Sequence, residues 1–498
     1  MSRSNLEERP ELLFGPNPLI EALPPFIPFE NLPSKLTHYP LDHFGDWRQM
    51  GPSFREPLLE QCSEHFAPFG PILEPAAGIQ LLLRRACSIL NPLHTDQRRR
   101  VNQVSVAQTF AEIEHVPTLE GGGGLIDGIT GLGKTRLVHR ILDVIAPEQV
   151  IEHEPCPAAG WLKLTQCVYL YVDHASNGTR GAVLKRVLLA LDEKLGTNYA
   201  ELSGKSTNLD TLLTRVCKYL VLHRIALLVI DEKQERNFDQ SPWQMEFILF
   251  YLSLMNLGIS VLLVGNPAAF YHLEEYSQVM RRFSMGGKTS LMPASNQEEG
   301  WWCTDFVPRE RKFCLVEKCL VDDATRAQLE FEASAGIPGL FQRYYVEAQR
   351  SALRRGDETA ELTLEDFTVA KASPRYKELA KIAVHVNTGT GGYQDIPELP
   401  RSITENNSTT PSSAEPSPSR SRSRSEIDVV KGLLTRYRAE QTRNSTLLNK
   451  RLDALTSLSE DDLRMLGVTQ DLLHEAETSF GRRADSPEKK KAVKKRGK

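Results

Sequence analysis

Between Leu125 and about Pro293, short apolar runs alternate with segments of helical period. Leu125–Asp127, Val168–Val172, Ala226–Ile230 and Ser260–Val264 predict strands. The last two lack the polar alternation of a half-solvated sheet, as expected of strands covered on both faces. Lys134–Ile145 predicts a helix, with Leu137, Val138, Ile141 and Leu142 on one face. Arg180–Leu195 and Leu209–Leu222 predict two more. This alternation predicts an α/β fold, a parallel sheet with helices on both sides. Phe247–Gly265 is almost wholly apolar over 19 residues, the length of a membrane span. Ser253, Asn256, Gly258 and Ser260 interrupt it. It reads instead as a buried helix to about Leu257, a turn at Gly258 and a buried strand.

The flanks differ. Residues 1–75 hold 13 of the 30 prolines, which disfavours long helices and predicts an extended arm docked on the body or on a partner. Helical spacing returns from Ala76 to Glu114, and the glycine run Gly121–Gly124 opens the next unit. From about Arg309 to His385 the pattern is helical, with no strand expected after Phe313–Val316. Helices are expected at Thr325–Ala333 and Leu340–Arg354, separated by Gly336-Ile337-Pro338. Thr363 with Asp366 forms a capping-box pattern that starts a third. Three helices after the sheet predict a small lid. Residues 401–425, with nine serines and three prolines, cannot supply a core and predict a disordered linker. Helical period resumes over Glu426–Phe480, and Lys489–Lys498 is a basic tail. The expected division is 1–100, 101–300, 301–387, 388–425 and 426–498.

Composition narrows the function. The 498 residues are 40% hydrophobic and 25% charged, enough for a large core. Aromatics at 7% disfavour a binder built wholly on base stacking. The net charge of −4 excludes a uniformly basic DNA coat. It is unevenly spread: residues 481–498 carry nine basic residues against two acids, so the remainder stands at −11. Eight scattered cysteines form no CxxC pair, which predicts reduced, buried thiols and no zinc site. The opening residues lack the apolar core of a secretory signal.

The strongest chemical signal is Gly128-Ile-Thr-Gly-Leu-Gly-Lys134-Thr135, which fits G-x-x-x-x-G-K-[ST] in full. It follows a predicted strand and opens a predicted helix. Glycines there let backbone N–H groups surround a β-phosphate, and the helix terminus adds favourable partial charge. Gly128, Thr130, Gly131, Leu132, Gly133, Lys134, Thr135 and Arg136 are the expected nucleotide contacts. Lys134 would neutralise β and γ oxygens, and Thr135 would ligate Mg²⁺. The strand Ala226–Ile230 delivers Asp231 and Glu232 at its carboxyl end, where open α/β sheets bind ligands. Asp231 is expected in the Mg²⁺ shell and Glu232 as the general base for the attacking water. Gln234 is a weaker candidate for holding that water. Asn266, at the tip of the next strand, would sense the γ-phosphate. Arg281 and Arg282 are candidates for a finger reaching a neighbouring copy's γ-phosphate, with Arg282 slightly favoured.

These residues resemble the TnsC/TniB family of AAA+ ATPases, which regulate DNA transposition. The resemblance runs over roughly residues 100–385. It rests on Gly128–Thr135, Gln149–His153, Gln166–Asp173, Leu195–Tyr199, Asp231-Glu-x-Gln, Val264-Gly-Asn, Gln278–Phe283 and Ala333–Pro338, in that order. It implies an AAA+ fold with a helical lid, and ATP and Mg²⁺ held between copies in a ring or helical filament on duplex DNA. It also implies a targeting factor of TniQ/TnsD type, transposase subunits of TnsA/TnsB type and a bacterial cytoplasmic setting. DNA contacts would fall within Ala175–Arg186 and Ser203–Thr207, with Arg180, Lys185 and Lys205 tracking phosphates. By the same analogy, residues 1–100 would meet the targeting factor and 426–498 the transposase or DNA. The rivals are a clamp-loading, origin-loading or helicase-like ATPase, and a scaffold that binds ATP with negligible hydrolysis. No winged-helix pattern follows the lid, and the Asp231-Glu232 pair is intact.

Overall fold

The computed structural model describes residues 8–173, 179–203, 208–231, 244–270, 276–355 and 360–388, together with Ile396. All of them lie within one compact unit, residues 1–403. The expected linker and the segment 426–498 lie outside the described residues, except for the start of the linker at Thr388 and Ile396 within it.

Five parallel strands form the central sheet: β1 (Gly123–Gly128), β2 (Tyr169–Asp173), β3 (Leu227–Asp231), β4 (Ser260–Gly265) and β5 (Lys288–Leu291). Their order is β2-β3-β4-β1-β5, with β1 between β4 and β5. Side chains alternate faces along each strand, and the core divides accordingly. Ile126, Val229, Leu262 and Val264 join one apolar cluster, whereas Leu125, Leu228, Ile230, Val261 and Leu263 join another. The first face carries α1 (Gly70–Ile89) and α2 (Lys134–Ile145). The second carries α3 (Arg180–Leu195), α4 (Leu209–Leu222) and α5 (Gln244–Asn256). The helices α2, α3 and α4 have the bounds that their apolar spacing predicts. Gly258 turns with φ at +87° between α5 and β4, as expected of the interrupted apolar stretch.

The glycine run belongs to the sheet. Leu82 of α1 lies so close that a Cβ on Gly122 would stand 2.7 Å from its Cδ2, and one on Gly124 2.9 Å from its Cδ1. The missing side chains let α1 settle directly on β1. Strand β5 was not foreseen, because Lys288-Thr-Ser-Leu has no apolar run.

The proline-rich segment docks on the body, as one of the two expected modes had it, but in short helical turns rather than extended chain. The 20-residue helix α1 even starts inside it and carries Pro71 and Pro75. Pro71 sits in the first turn, where no N–H bond is lost. Pro75 gives up one bond, against the burial of Ile72, Ile79, Leu82, Leu83 and Ala86. Buried hydrogen bonds fix the segment to α1. Asn17 Nδ2 donates to Cys87 O at 2.9 Å, and Gln80 both accepts from Ile27 N and donates to Ile27 O.

The lid has four helices where three were expected: α6 (Asp323–Ser334), α7 (Pro338–Arg354), α8 (Leu364–Ala372) and α9 (Lys377–Thr388). Thr363 and Asp366 make the expected capping box at α8. A parallel pair of two-residue strands, Lys318–Cys319 and Glu361–Leu362, ties the lid's ends, and Phe313–Val316 is irregular. None of the eight cysteines is bridged, but Cys303 is exposed rather than buried. Among the described residues no helix is long and apolar enough to cross a membrane, and no cluster of acids, cysteines and histidines could hold a metal by itself.

Candidate nucleotide site

Parallel strands aim their carboxyl ends the same way, so β1, β3 and β4 bring three motifs to one edge of the sheet. The loop after β1 turns through Gly131 and Gly133, at φ +92° and +87°, conformations in which a Cβ is strained. Gly133 caps α2, whose first backbone N–H groups have no helical partner and face the loop's concavity. Lys134 folds back, and its Nζ donates to Gly128 O at 2.6 Å and Ile129 O at 3.0 Å. Thr135 Oγ1 donates to Asp231 Oδ2 at 2.6 Å. The same oxygen accepts from the Tyr171 hydroxyl on β2. Burial and the neighbouring Asp231 both push the Tyr171 phenol up, so it stays a donor.

A cavity of about 460 Å³ opens beside this loop. Thr130–Arg136, Asp231 and Asn266 form its phosphate-binding end. The opposite walls come from three distant segments: Phe66, Phe69 and Ile72, then Phe306 and Glu310, then Pro338, Gly339 and Gln342. The start of α7 sits directly on the loop. Gly339 N donates to Gly131 O at 2.8 Å, and a Cβ on Gly339 would stand 2.9 Å from that oxygen.

Arg136 lines the cavity, but its guanidinium is engaged by the wall. It donates to Gln342 Oε1 at 2.8 Å, to Ser63 O at 3.0 Å and to His65 O. Gln342 in turn donates to Glu310 Oε2 at 3.1 Å. Burial raises the Glu310 carboxyl to about 7, against the attraction of Arg136. Burial lowers His65 to about 4, so its ring is neutral beside Glu310, 3.8 Å away.

The other expected residues fall at separate places. Arg282 is half-buried and donates to Asn256 Oδ1 at 3.1 Å and to the carbonyls of Leu119 and Gly121 at 3.4 Å. Arg281, beside it, is exposed. Both lie at the amino end of β1, about 20 Å from the phosphate loop at ~3.3 Å per strand residue. Neither can reach its own chain's γ-phosphate position. Lys185 is exposed on α3. Glu232, Gln234, Lys205 and the Arg180 side chain lie outside the described residues.

Tyr171, Glu310 and Gln342 were not foreseen. Tyr171 sits in an apolar strand and reads as core. The others are more than 170 residues from the phosphate motif.

A strand, a phosphate loop, an acid-tipped strand and a polar strand tip in this order match a known family. Residues 119–273 match the AAA domain model. The fold is that of an AAA+ P-loop NTPase, with a parallel sheet and a helical lid. The match spans β1 to just beyond Asn266, so the lid, Glu310 and the proline-rich wall lie outside it. Among solved structures the chain is similar to that of the Aeropyrum pernix ORC1 protein in complex with DNA. The identity is 15%, over 56% of this chain and 68% of that one, with a TM-score of 0.35. No curated protein matches the chain.

The residues present fit Mg²⁺-ATP. The glycine turns leave the loop open to phosphate, and the Thr135 hydroxyl points its proton at Asp231, which keeps its lone pairs for a cation. The apolar walls around Phe66 and Phe306 suit a base.

Proposed function

We propose that this chain is an ATP-dependent regulator of DNA transposition. ATP-bound copies gather on duplex DNA without reading its sequence. The assembly links a targeting factor of TniQ/TnsD type to transposase subunits of TnsA/TnsB type, and hydrolysis resets it. The observation that carries the nucleotide part is the 2.6 Å contact from Thr135 to Asp231, which unites the two halves of a cation site 96 residues apart. The ordered motifs that resemble the TnsC/TniB family support the transposition part.

In this reading Lys134 leaves the loop carbonyls for the β and γ oxygens when ATP enters. Thr135 and Asp231 hold Mg²⁺, which when bound screens the phosphate charge and polarises the γ-phosphoryl group. Asn266 orients the γ-phosphate, and Glu232 takes the proton of the attacking water. The position of Arg281, far from its own loop and exposed, favours it over Arg282 as the group offered to a neighbouring copy. Lys185, with Arg180 and Lys205, contacts DNA phosphates.

The test is electron microscopy of the protein with duplex DNA, with and without ATP. Wild type is expected to assemble only with ATP, and Lys134→Ala not at all. Assembly of Lys134→Ala on DNA without nucleotide would reject the switch.

A further inference from the structure

Two adjacent strands and one helix converge behind the phosphate loop. In the β2–β3 register Tyr171 pairs with Val229 and Asp173 with Asp231. Tyr171 and Asp231 are therefore diagonal neighbours, close enough for a long side chain to span. Helix α2 covers this diagonal with Thr135 and His139, four residues apart and so on one side of the helix. Thr135 Oγ1 donates to Asp231 Oδ2, and the His139 ring lies against the Tyr171 ring with centroids 4.3 Å apart. The Tyr171 hydroxyl donates to the same Oδ2. Both donors thus hold one oxygen of Asp231, and among the described residues no bond goes to the other. Asp231 is 3% exposed and lines the cavity.

We propose that Tyr171 is a positioning residue for the cation site, fixing the Asp231 carboxylate so that its other oxygen meets the water shell of nucleotide-bound Mg²⁺. The assignment rests on the nucleotide reading above. A single tether from Thr135 leaves the carboxylate free to turn about its own bonds. Tyr171 supplies a second tether from a different strand, and His139 keeps that phenol in place from the helix carrying Thr135. The cation then finds the carboxylate already oriented rather than having to order it.

The test is calorimetric titration of the full chain with ATP, in Mg²⁺ and in EDTA, for wild type and Tyr171→Phe. Wild type is expected to bind ATP more tightly in Mg²⁺. In Tyr171→Phe the affinity in EDTA is expected to be unchanged, while the gain from Mg²⁺ shrinks about five- to tenfold, the scale of one hydrogen bond to a charged group. The Mg²⁺ concentration for half-saturation should rise in step. Equal Mg²⁺ gains in the two proteins would overturn the assignment alone. A wild type that gains nothing from Mg²⁺ would overturn the nucleotide reading and this assignment with it. A second readout needs no nucleotide: the melting temperatures of Tyr171→Phe, Asp231→Asn and the double variant. Coupled shifts are expected, and strictly additive shifts would count against the contact.

Discussion

The two ends of the nucleotide cavity are built by different rules. The phosphate end is a local device: eight consecutive residues, Gly128 to Thr135, joined by the tips of two neighbouring strands. The far end is assembled from Phe66, Phe306, Glu310 and Gln342, and is joined to the loop through Arg136 and through the seat of Gly339 on Gly131. One end reflects what triphosphate chemistry demands of any such loop. The other reflects how this chain folds its first hundred residues and its lid around the sheet. Binding should therefore be easiest to abolish at the first and easiest to tune at the second.

Three substitutions sharpen this contrast. The largest effect belongs to a residue in neither end. Arg281→Ala should leave ATP affinity unchanged yet lower hydrolysis in the DNA-bound assembly by at least about tenfold, as loss of a guanidinium at a transferring phosphoryl group does. Arg282→Ala should instead lower the melting temperature, since its guanidinium is tied to Asn256 and the Leu119–Gly121 backbone. The reverse pattern in a turnover assay would return the role to Arg282.

Next comes Gly339→Val. Its side chain would start 2.9 Å from the Gly131 carbonyl, so α7 must lift off the loop. ATP affinity measured by calorimetry should fall about tenfold, equivalent to ~1.4 kcal/mol. An unchanged affinity would show that the lid's seat does not shape the cavity.

The smallest effect, and one with a pH signature, is that of Glu310→Gln. The folded carboxyl titrates near 7 and the unfolded one near 4.5, so the folded state binds more protons between these values. Stability from this group is thus highest at low pH and is lost as pH rises toward 7 and beyond. Glutamine cannot ionise. The variant should gain on wild type by about 2–4 °C in melting temperature at pH 8 and show little difference at pH 5. His65 pulls the other way, since its depressed value costs stability as pH falls below 6.5, but it does so equally in both proteins. A difference that does not vary with pH would place the Glu310 proton elsewhere.

The sheet, its helices and the phosphate motif were legible because each is written in a short window. Arg180–Leu195 and Leu209–Leu222 follow from period alone, and the cap at Thr363 from one pair of residues. What escaped depends on distance or on absent side chains. Strand β5 is polar and finds its place only by pairing with β1. Gly121–Gly124 looks like a loop until Leu82 is set against it. Tyr171 is indistinguishable from a core tyrosine until Asp231 arrives from another strand. Glu310 and Gln342 acquire meaning only when the proline-rich segment and the lid close on Arg136.

That segment has one further consequence. The Leu36 carbonyl accepts from Arg140 on the helix that carries the phosphate loop, while Glu56 and Glu60 accept from Arg350 in the lid. Arg354 adds a second grip and, with Arg350, holds the Glu56 carboxyl down at about 2, so these pairs persist across the physiological range. The stretch between works like a tendon strung across a joint. The lid cannot swing away from the loop without slackening or parting one of these attachments, so the emptying of the cavity is felt near the beginning of the chain, where Phe14 and Phe54 stand in solvent.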